Sequence, residues 1–120
     1  MGEIIVPIKE VIGYHISNTG VVYTTVKSKR HNKDGVMRIL RPRIHPSGYL
    51  YVGLYDVVNG ERVRHWRRVH RLVAEHFIGN IGKGLEVNHK DLNKHNNHID
   101  NLEIVTRREN LIHYYANKNK

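Results

Sequence analysis

The chain has 120 residues, no cysteine, 39% hydrophobic and 26% charged side chains, and a formal net charge of +9. That size suits one domain, or a domain with an appended lobe, and the lack of cysteine excludes disulfides and every thiolate zinc site. No apolar run could span a bilayer, and MGEIIVPIKE has neither the basic nor the apolar part of a signal peptide, so we expect no membrane partner and a cytoplasmic location.

Residues 4–16 mix apolar side chains with Pro7 and Gly13 and lead to Ser17-Asn18-Thr19-Gly20, a tight turn before the β-rich run Val21 to Thr25. Residues 27–43 carry seven basic residues and one acid, with Asp34-Gly35 as the expected tip of a two-stranded basic ribbon. Such a ribbon fits the major groove of DNA. Tyr49 to Tyr55 and Arg62 to Arg67 read as strands joined at Asn59-Gly60, a strong hairpin signal. Trp66 and the tyrosines are expected to pack in the core, because isolated aromatics in strands usually do.

Val69, Leu72, Val73, His76 and Phe77 recur at helical spacing, which predicts a helix over 68–78 ended by Gly79, with His76 as a hydrogen-bonded structural histidine. Leu85-Glu86-Val87 then forms a short strand running into Asn88-His89. Residues 91–100 are too polar for core and make an ordered loop, and Leu102, Ile104 and Val105 mark a second strand. Thr106-Arg107-Arg108-Glu109 has the form of a capping box, starting a helix to about Tyr115. A disordered tail is expected from Asn117 to Lys120.

Charge is unevenly distributed. Residues 1–85 hold 14 basic and 6 acidic side chains, whereas residues 86–120 hold 6 and 5. A positive field outside the His/Asn-rich segment suits a chain that grips phosphates with one part and holds a cation with the other. Lys27, Lys29, Arg30, Lys33, Arg38, Arg41, Arg43, Arg62, Arg64, Arg67 and Arg68 are the candidate DNA contacts. Contacts to phosphate position a duplex without reading it, so binding should weaken steeply with salt.

The segment 88–110 carries the chemistry. A single imidazole among carboxamides and a carboxylate supplies a base near neutral pH and oxygen donors for a hard cation. A zinc site of His89, His95 and His98 is the rival reading, but it lacks paired ligand spacing and a thiolate.

Val69-His70-Arg71-Leu72-Val73-Ala74, Val87-Asn88-His89-Lys90-Asp91, Asn93-Lys94, Asn96-Asn97 and Asn101-Leu102-Glu103 together resemble the HNH endonucleases, the ββα-metal nucleases, and within them the phage and intron homing group. Gly13-Tyr14 and Ser17 to Tyr23 resemble the N-terminal module that accompanies this nuclease. The resemblance implies an α+β fold, with antiparallel β-hairpins followed by a ββα-metal motif. It divides the chain into a DNA-binding module, residues 1–67, and a nuclease motif with its preceding helix, residues 68–120.

The implied roles follow position by position. His89 is the general base, Asn101 steadies its loop, and Asn88 and Asn110 are metal ligands, with Asp91 and His113 as alternatives. Asn88 stands where relatives carry Asp or His, so a divalent metal, Mg²⁺ or else Mn²⁺, should bind weakly until DNA is present. The implied reaction is hydrolysis of double-stranded DNA to a 5′-phosphate and a 3′-hydroxyl, by a monomer that nicks or a homodimer assembled on DNA. With few residues after the last helix, recognition would fall to the N-terminal hairpins or a partner. Two other classes remain open: a catalytically weak DNA-binding accessory protein of the same fold, and an RNA-binding protein of ribosomal type.

Overall fold

A computed structural model describes residues 2–30 and 32–118. Strands β1 (Ile5–Pro7), β2 (Tyr14–Ser17), β3 (Val22–Thr24) and β4 (Arg38–Leu40) form an antiparallel sheet in chain order. The turn between β2 and β3 is built by Ser17, whose hydroxyl accepts hydrogen bonds from the backbone N–H of Thr19 and Val21, and by Gly20 at φ +92°. That left-handed conformation favours glycine.

The expected basic ribbon over 27–43 is not formed. Among the described residues of 25–37 the only pairing is an isolated bridge between Ser28 and Asn32, although Lys33 and Asp34 do turn, with Gly35 at φ +69°. The reason lies in Asn32, which is buried. Its amide donates to the Val36 carbonyl and its Oδ1 accepts from Arg38 Nε, so the loop closes on a polar side chain instead of a ladder. Nor does this run alternate apolar residues that a strand could bury.

Strands β5 (Arg43–Ile44), β6 (Leu50–Val58) and β7 (Glu61–Arg68) form a second antiparallel sheet. Asn59 and Gly60 both have positive φ, +52° and +79°, the backbone of the hairpin turn that the sequence predicts. Along β6, Val52 and Leu54 point into the core, while Tyr51, Gly53 and Tyr55 are in the opposite phase. Trp66 pairs with Gly53 and is therefore on the outer face, 47% exposed. The expectation that it packs in the core is thus corrected. It is in register with Arg62, Arg64 and Arg68, and a strand cannot bury one member of such a row alone.

Strand β7 passes straight into α1 (Val69–Phe77), which contacts strands of all three sheets. Val69, Leu72, Val73 and Ala74 join Ile8, Tyr14, Ile16, Val52, Leu54, Val87 and Leu102 in one buried cluster drawn from the whole length of the chain. His76 is structural, as expected: Nδ1 donates to the Leu72 carbonyl and Nε2 accepts from the Lys9 N–H.

The final unit is β8 (Leu85–His89), β9 (Leu102–Thr106) and α2 (Arg107–Asn117), with a 3-10 turn at Ile99–Asn101 ahead of β9. Thr106 and Glu109 close the capping box in both directions. The architecture is mixed α+β, with N-terminal antiparallel strands followed by a β-β-α unit. The tail expected to be disordered from Asn117 is in part helical, since Asn117 is the last residue of α2 and Lys118 its C-cap; the rest of that expectation, residues 119–120, falls outside the described residues.

Candidate active site

Strand β8 carries Asn88 and His89 to its end, where both are buried. His89 Nε2 is 2.7 Å from Asn97 Oδ1. An amide oxygen only accepts, so Nε2 carries the hydrogen and Nδ1 is left as the ring's proton acceptor. Burial pushes the His89 pKa below its ordinary value, against the opposing pull of Asn97 and Asp91, so the ring is neutral and basic at pH 7.

Behind His89 lies a ring stack. His70 is 5.1 Å from it, centroid to centroid, and Tyr49 covers His70 at 4.7 Å in a near-parallel arrangement. His70 is almost fully buried, and burial first, then the nearby His89, Arg68 and Arg71 charges, lowers its pKa to about 3. It is a neutral aromatic wall.

The loop after β8 is tied by Asn101. Its Oδ1 accepts from the Asp91 N–H, its amide donates to Asp91 Oδ1 and to the Asn96 carbonyl, and its own carbonyl accepts from the Lys90 N–H. Asn101 thus holds the loop, and Asn97 holds His89. Asp91 also accepts from Asn96 and from the Asn93 N–H, and these bonds, led by Asn96, depress its pKa. Both its oxygens are spent within the loop. His113 is likewise engaged, its Nε2 donating to the Lys90 carbonyl.

The N-terminal sheet presses on this loop. The Ile99 N–H donates to the Asn18 carbonyl, and a Cβ on Gly20 would lie 2.8–3.0 Å from Asn97 atoms, two of them backbone. The tight turn that the sequence predicts at Ser17-Asn18-Thr19-Gly20 is therefore a buttress of Asn97, which holds His89.

Asn88 and Asn110 line one cavity of about 240 Å³ with Tyr49, His89, Lys94 and Tyr114. The Asn88 amide donates to Glu103, its cross-strand partner, at 2.8 Å, and the Asn110 amide donates to Glu86 at 2.9 Å. Each NH₂ is thereby occupied and each Oδ1 is the group left to accept. A carboxylate on the NH₂ end also polarises the amide and adds negative charge to that oxygen. This donor set fits a hard divalent cation, with two protein oxygens and the remaining places for water and phosphate. Among the described residues no three His, Cys, Asp or Glu side chains gather as a metal cluster, and His95 and His98 do not join His89.

The eleven candidate DNA contacts separate into groups. Arg67 is committed to Glu10 in a 2.6 Å ion pair. Lys27, Lys29 and Lys33 edge one open depression, beside Arg30. Arg38 is tied to Asn32, while Arg41 is exposed between β4 and β5. Arg43, Arg62, Arg64 and Arg68 share the outer face of the second sheet, over Trp66, Tyr55 and Tyr49. Sequence reasoning missed Lys94, whose Nζ lies 4.7 Å over Tyr49 at the cavity edge, and it missed Asn97, Glu86, Glu103, His70 and Tyr49 as parts of the site. The period of two along β8, which puts Glu86 in phase with Asn88, is the one signal that pointed there.

Comparison with known proteins agrees with this geometry. Residues 67–112 match the family model described as HNH endonuclease. YosQ, a candidate HNH homing endonuclease of the SPbeta prophage in Bacillus subtilis strain 168, is 47% identical over 79 residues, covering 63% of this chain and 44% of its own length. The DNA endonuclease I-HmuI of Bacillus phage SP01 is 39% identical over 98 residues, 82% of this chain and 49% of the relative. A solved structure of DNA binding and cleavage by I-HmuI superposes with a TM-score of 0.73 at 34% identity, over 100% of this chain and 61% of that one. The chain spans about half or less of the length of the curated relatives it matches. From the β-β-α unit with its buried histidine, the matched motif and these relatives alike, the chain belongs to the HNH endonuclease family.

Proposed function

We propose that the chain is a metal-dependent DNA endonuclease that hydrolyses phosphodiester bonds to 5′-phosphate and 3′-hydroxyl ends. The observation that carries it is the joint placement of a neutral, oriented imidazole and two carboxylate-backed amide oxygens on one cavity. His89 Nδ1 takes the proton of the attacking water, and Nε2–H, fixed on Asn97, stabilises the imidazolium that results. Asn88 and Asn110 would hold the cation, Mg²⁺ or Mn²⁺, which when bound neutralises charge on the phosphate oxygens. Asn101 keeps the loop in register, and Lys94 and Arg68 at the rim attract the strand. Asp91 and His113 act on loop geometry in this reading and not as ligands.

Residues 1–67 serve as the DNA-binding module and 68–120 as the nuclease motif. The protein meets double-stranded DNA in the cytoplasm, that of a bacterial host cell if it is phage-encoded, as a monomer that nicks or as a pair of copies assembled on opposite strands. No helix among the described residues is long and apolar enough to cross a membrane. Supercoiled plasmid incubated with Mg²⁺, Mn²⁺ or EDTA tests all of this at once. Nicked product points to single copies, linear product to paired ones. Cleavage that persists in EDTA would refute the metal reading. Binding without cleavage in every cation would leave the accessory-protein reading, which rests on Asn88 standing in place of an acid.

A further inference from the structure

The cavity that holds His89, Asn88 and Asn110 has a single cationic side chain among its lining residues, Lys94, and no acid. Lys94 takes part in no ion pair among the described residues. Its ammonium instead donates to the Ser47 carbonyl at 2.7 Å and lies 4.7 Å from the centroid of the Tyr49 ring. An ammonium has three donors, and this carbonyl takes one. The rest are left at the edge of the cavity.

Both sides of the contact are held. Lys94 sits in a turn closed by the Asn96 N–H on the Asn93 carbonyl, with the Asn93 side chain accepting from the His95 N–H. Opposite, the turn between β5 and β6 bends at Gly48, φ +95°, and is braced by His45, whose Nδ1 accepts from the Ser47 N–H and whose carbonyl accepts from the Gly48 N–H. The Lys94 stem runs over Gly48, where a Cβ would lie 3.1 Å from Cδ and 3.8 Å from Nζ. A lysine of the catalytic loop is thereby parked on a turn 47 positions earlier in the chain.

Asn88 and Asn110 are neutral, so the cavity wall has no positive charge except that of Lys94. In the proposed hydrolysis the water oxygen bonds to phosphorus as its proton passes to His89 Nδ1. The 3′ oxygen leaves with the pair of the breaking P–O bond and takes a proton from solvent. Negative charge collects meanwhile on the nonbridging oxygens, and a charged donor already aimed at them lowers the barrier without reorganising. We infer that Lys94 donates from Nζ to a nonbridging oxygen of the scissile phosphate in the transition state, held ready by the Ser47 carbonyl and the Tyr49 ring. Lys94 is then a catalytic residue, which acts in the chemical step beyond drawing the strand to the rim. This rests on the endonuclease reading of the site.

The chain has no cysteine, which allows a direct test. Lys94→Cys removes the ammonium and introduces the only thiol. With saturating enzyme and Mg²⁺, it should cut supercoiled plasmid about 10²–10³-fold more slowly than wild type, the range for loss of one preorganised donor. Affinity for the same plasmid in EDTA should change far less, because the contact strengthens in the transition state. Treatment with 2-bromoethylamine forms a C–S bond at the thiol, releases bromide and a proton, and restores an ammonium at the reach of lysine, so most of the lost rate should return. Iodoacetamide, which adds a neutral group, should restore none of it, and wild type treated with either reagent should be unchanged. Lys94→Met, which keeps the stem over Gly48, should lose as much rate and unfold at a urea midpoint near wild type. Cleavage by Lys94→Cys at the wild-type rate, a loss of affinity as large as the loss of rate, no recovery with 2-bromoethylamine, or equal recovery with iodoacetamide would each overturn this inference alone. A wild type that cuts in no cation would overturn the endonuclease reading together with it.

Discussion

His89 is held by a carboxamide, whereas Asn88 and Asn110, a few residues away in the same cavity, are held by carboxylates. The contrast matches the roles proposed for each group. A base that works at neutral pH has to be free of its proton, and a carboxylate on Nε2 would raise the pKa that burial lowers. A neutral ligand has the opposite need. Its oxygen gains charge when a carboxylate accepts from the other end of the amide. One half of the site is kept electrically quiet and geometrically over-determined. The other borrows charge from side chains that do not themselves take the ligand positions.

The largest expected effect comes from removing the base. His89→Ala should lower plasmid cleavage by about 10²–10⁴-fold while DNA retention in EDTA is unchanged. Because the ring packs against Tyr49 and His70, the same variant should also unfold at lower urea. His89→Gln, which keeps more of the volume, separates chemistry from packing. Cleavage at the wild-type rate by either variant would remove His89 from its role.

Next in size is the buttress on the base side. Gly20→Ala combines a left-handed backbone with a contact below 3 Å on Asn97, and should cost about 2 kcal/mol of stability, the scale of such strain. If Asn97 orients the base, cleavage under folding conditions should fall as well, with the metal concentration for half-activity unchanged. A shift in metal requirement instead would mean that the two halves are not separable.

The quiet half also predicts a pH dependence. His70 has a folded pKa of about 3 against an ordinary 6.5, so between these values the unfolded chain binds more protons and stability rises with pH. Stability is therefore complete above about pH 6.5 and is lost as pH falls. At 1.4 kcal/mol per unit, lowering pH from 7 to 4.5 should remove about 3 kcal/mol through this ring. Urea midpoints across that range measure it, and His70→Phe should flatten the slope.

The smallest expected effect sharpens the other half. Asn88→Asp places a carboxylate opposite Glu103, so without divalent metal the variant should melt below wild type. With Mg²⁺ it should be stabilised, and its half-activating concentration should fall by about tenfold, since a charged ligand holds a hard cation better than an amide. No change in metal requirement would show that Asn88 is not a ligand.

Much of this was legible in order of residues. The period of α1, the Asn59-Gly60 turn, the Thr106-Glu109 capping box and the flanking strands of the β-β-α unit are local, and each forms where its own residues demand. His89 stood out among ten histidines because of the motif around it, Asn88-His89-Lys90-Asp91 followed by Asn101-Leu102-Glu103. The basic ribbon failed because a buried Asn32 redirected its loop, and Trp66 was misplaced although its phase with Arg62, Arg64 and Arg68 on the same strand was legible; only its seat opposite Gly53 needed the pairing.

By itself the sequence determined the local elements of the β-β-α unit and α1, the family motif and the histidine proposed as base, since these depend on neighbours within a few residues. Tertiary structure alone decided which amide faces His89, which carboxylates stand behind Asn88 and Asn110, and that a turn near the N-terminus supports a loop some eighty positions later. Such contacts join residues that no local propensity links, and they exist only because one core draws all three sheets onto α1.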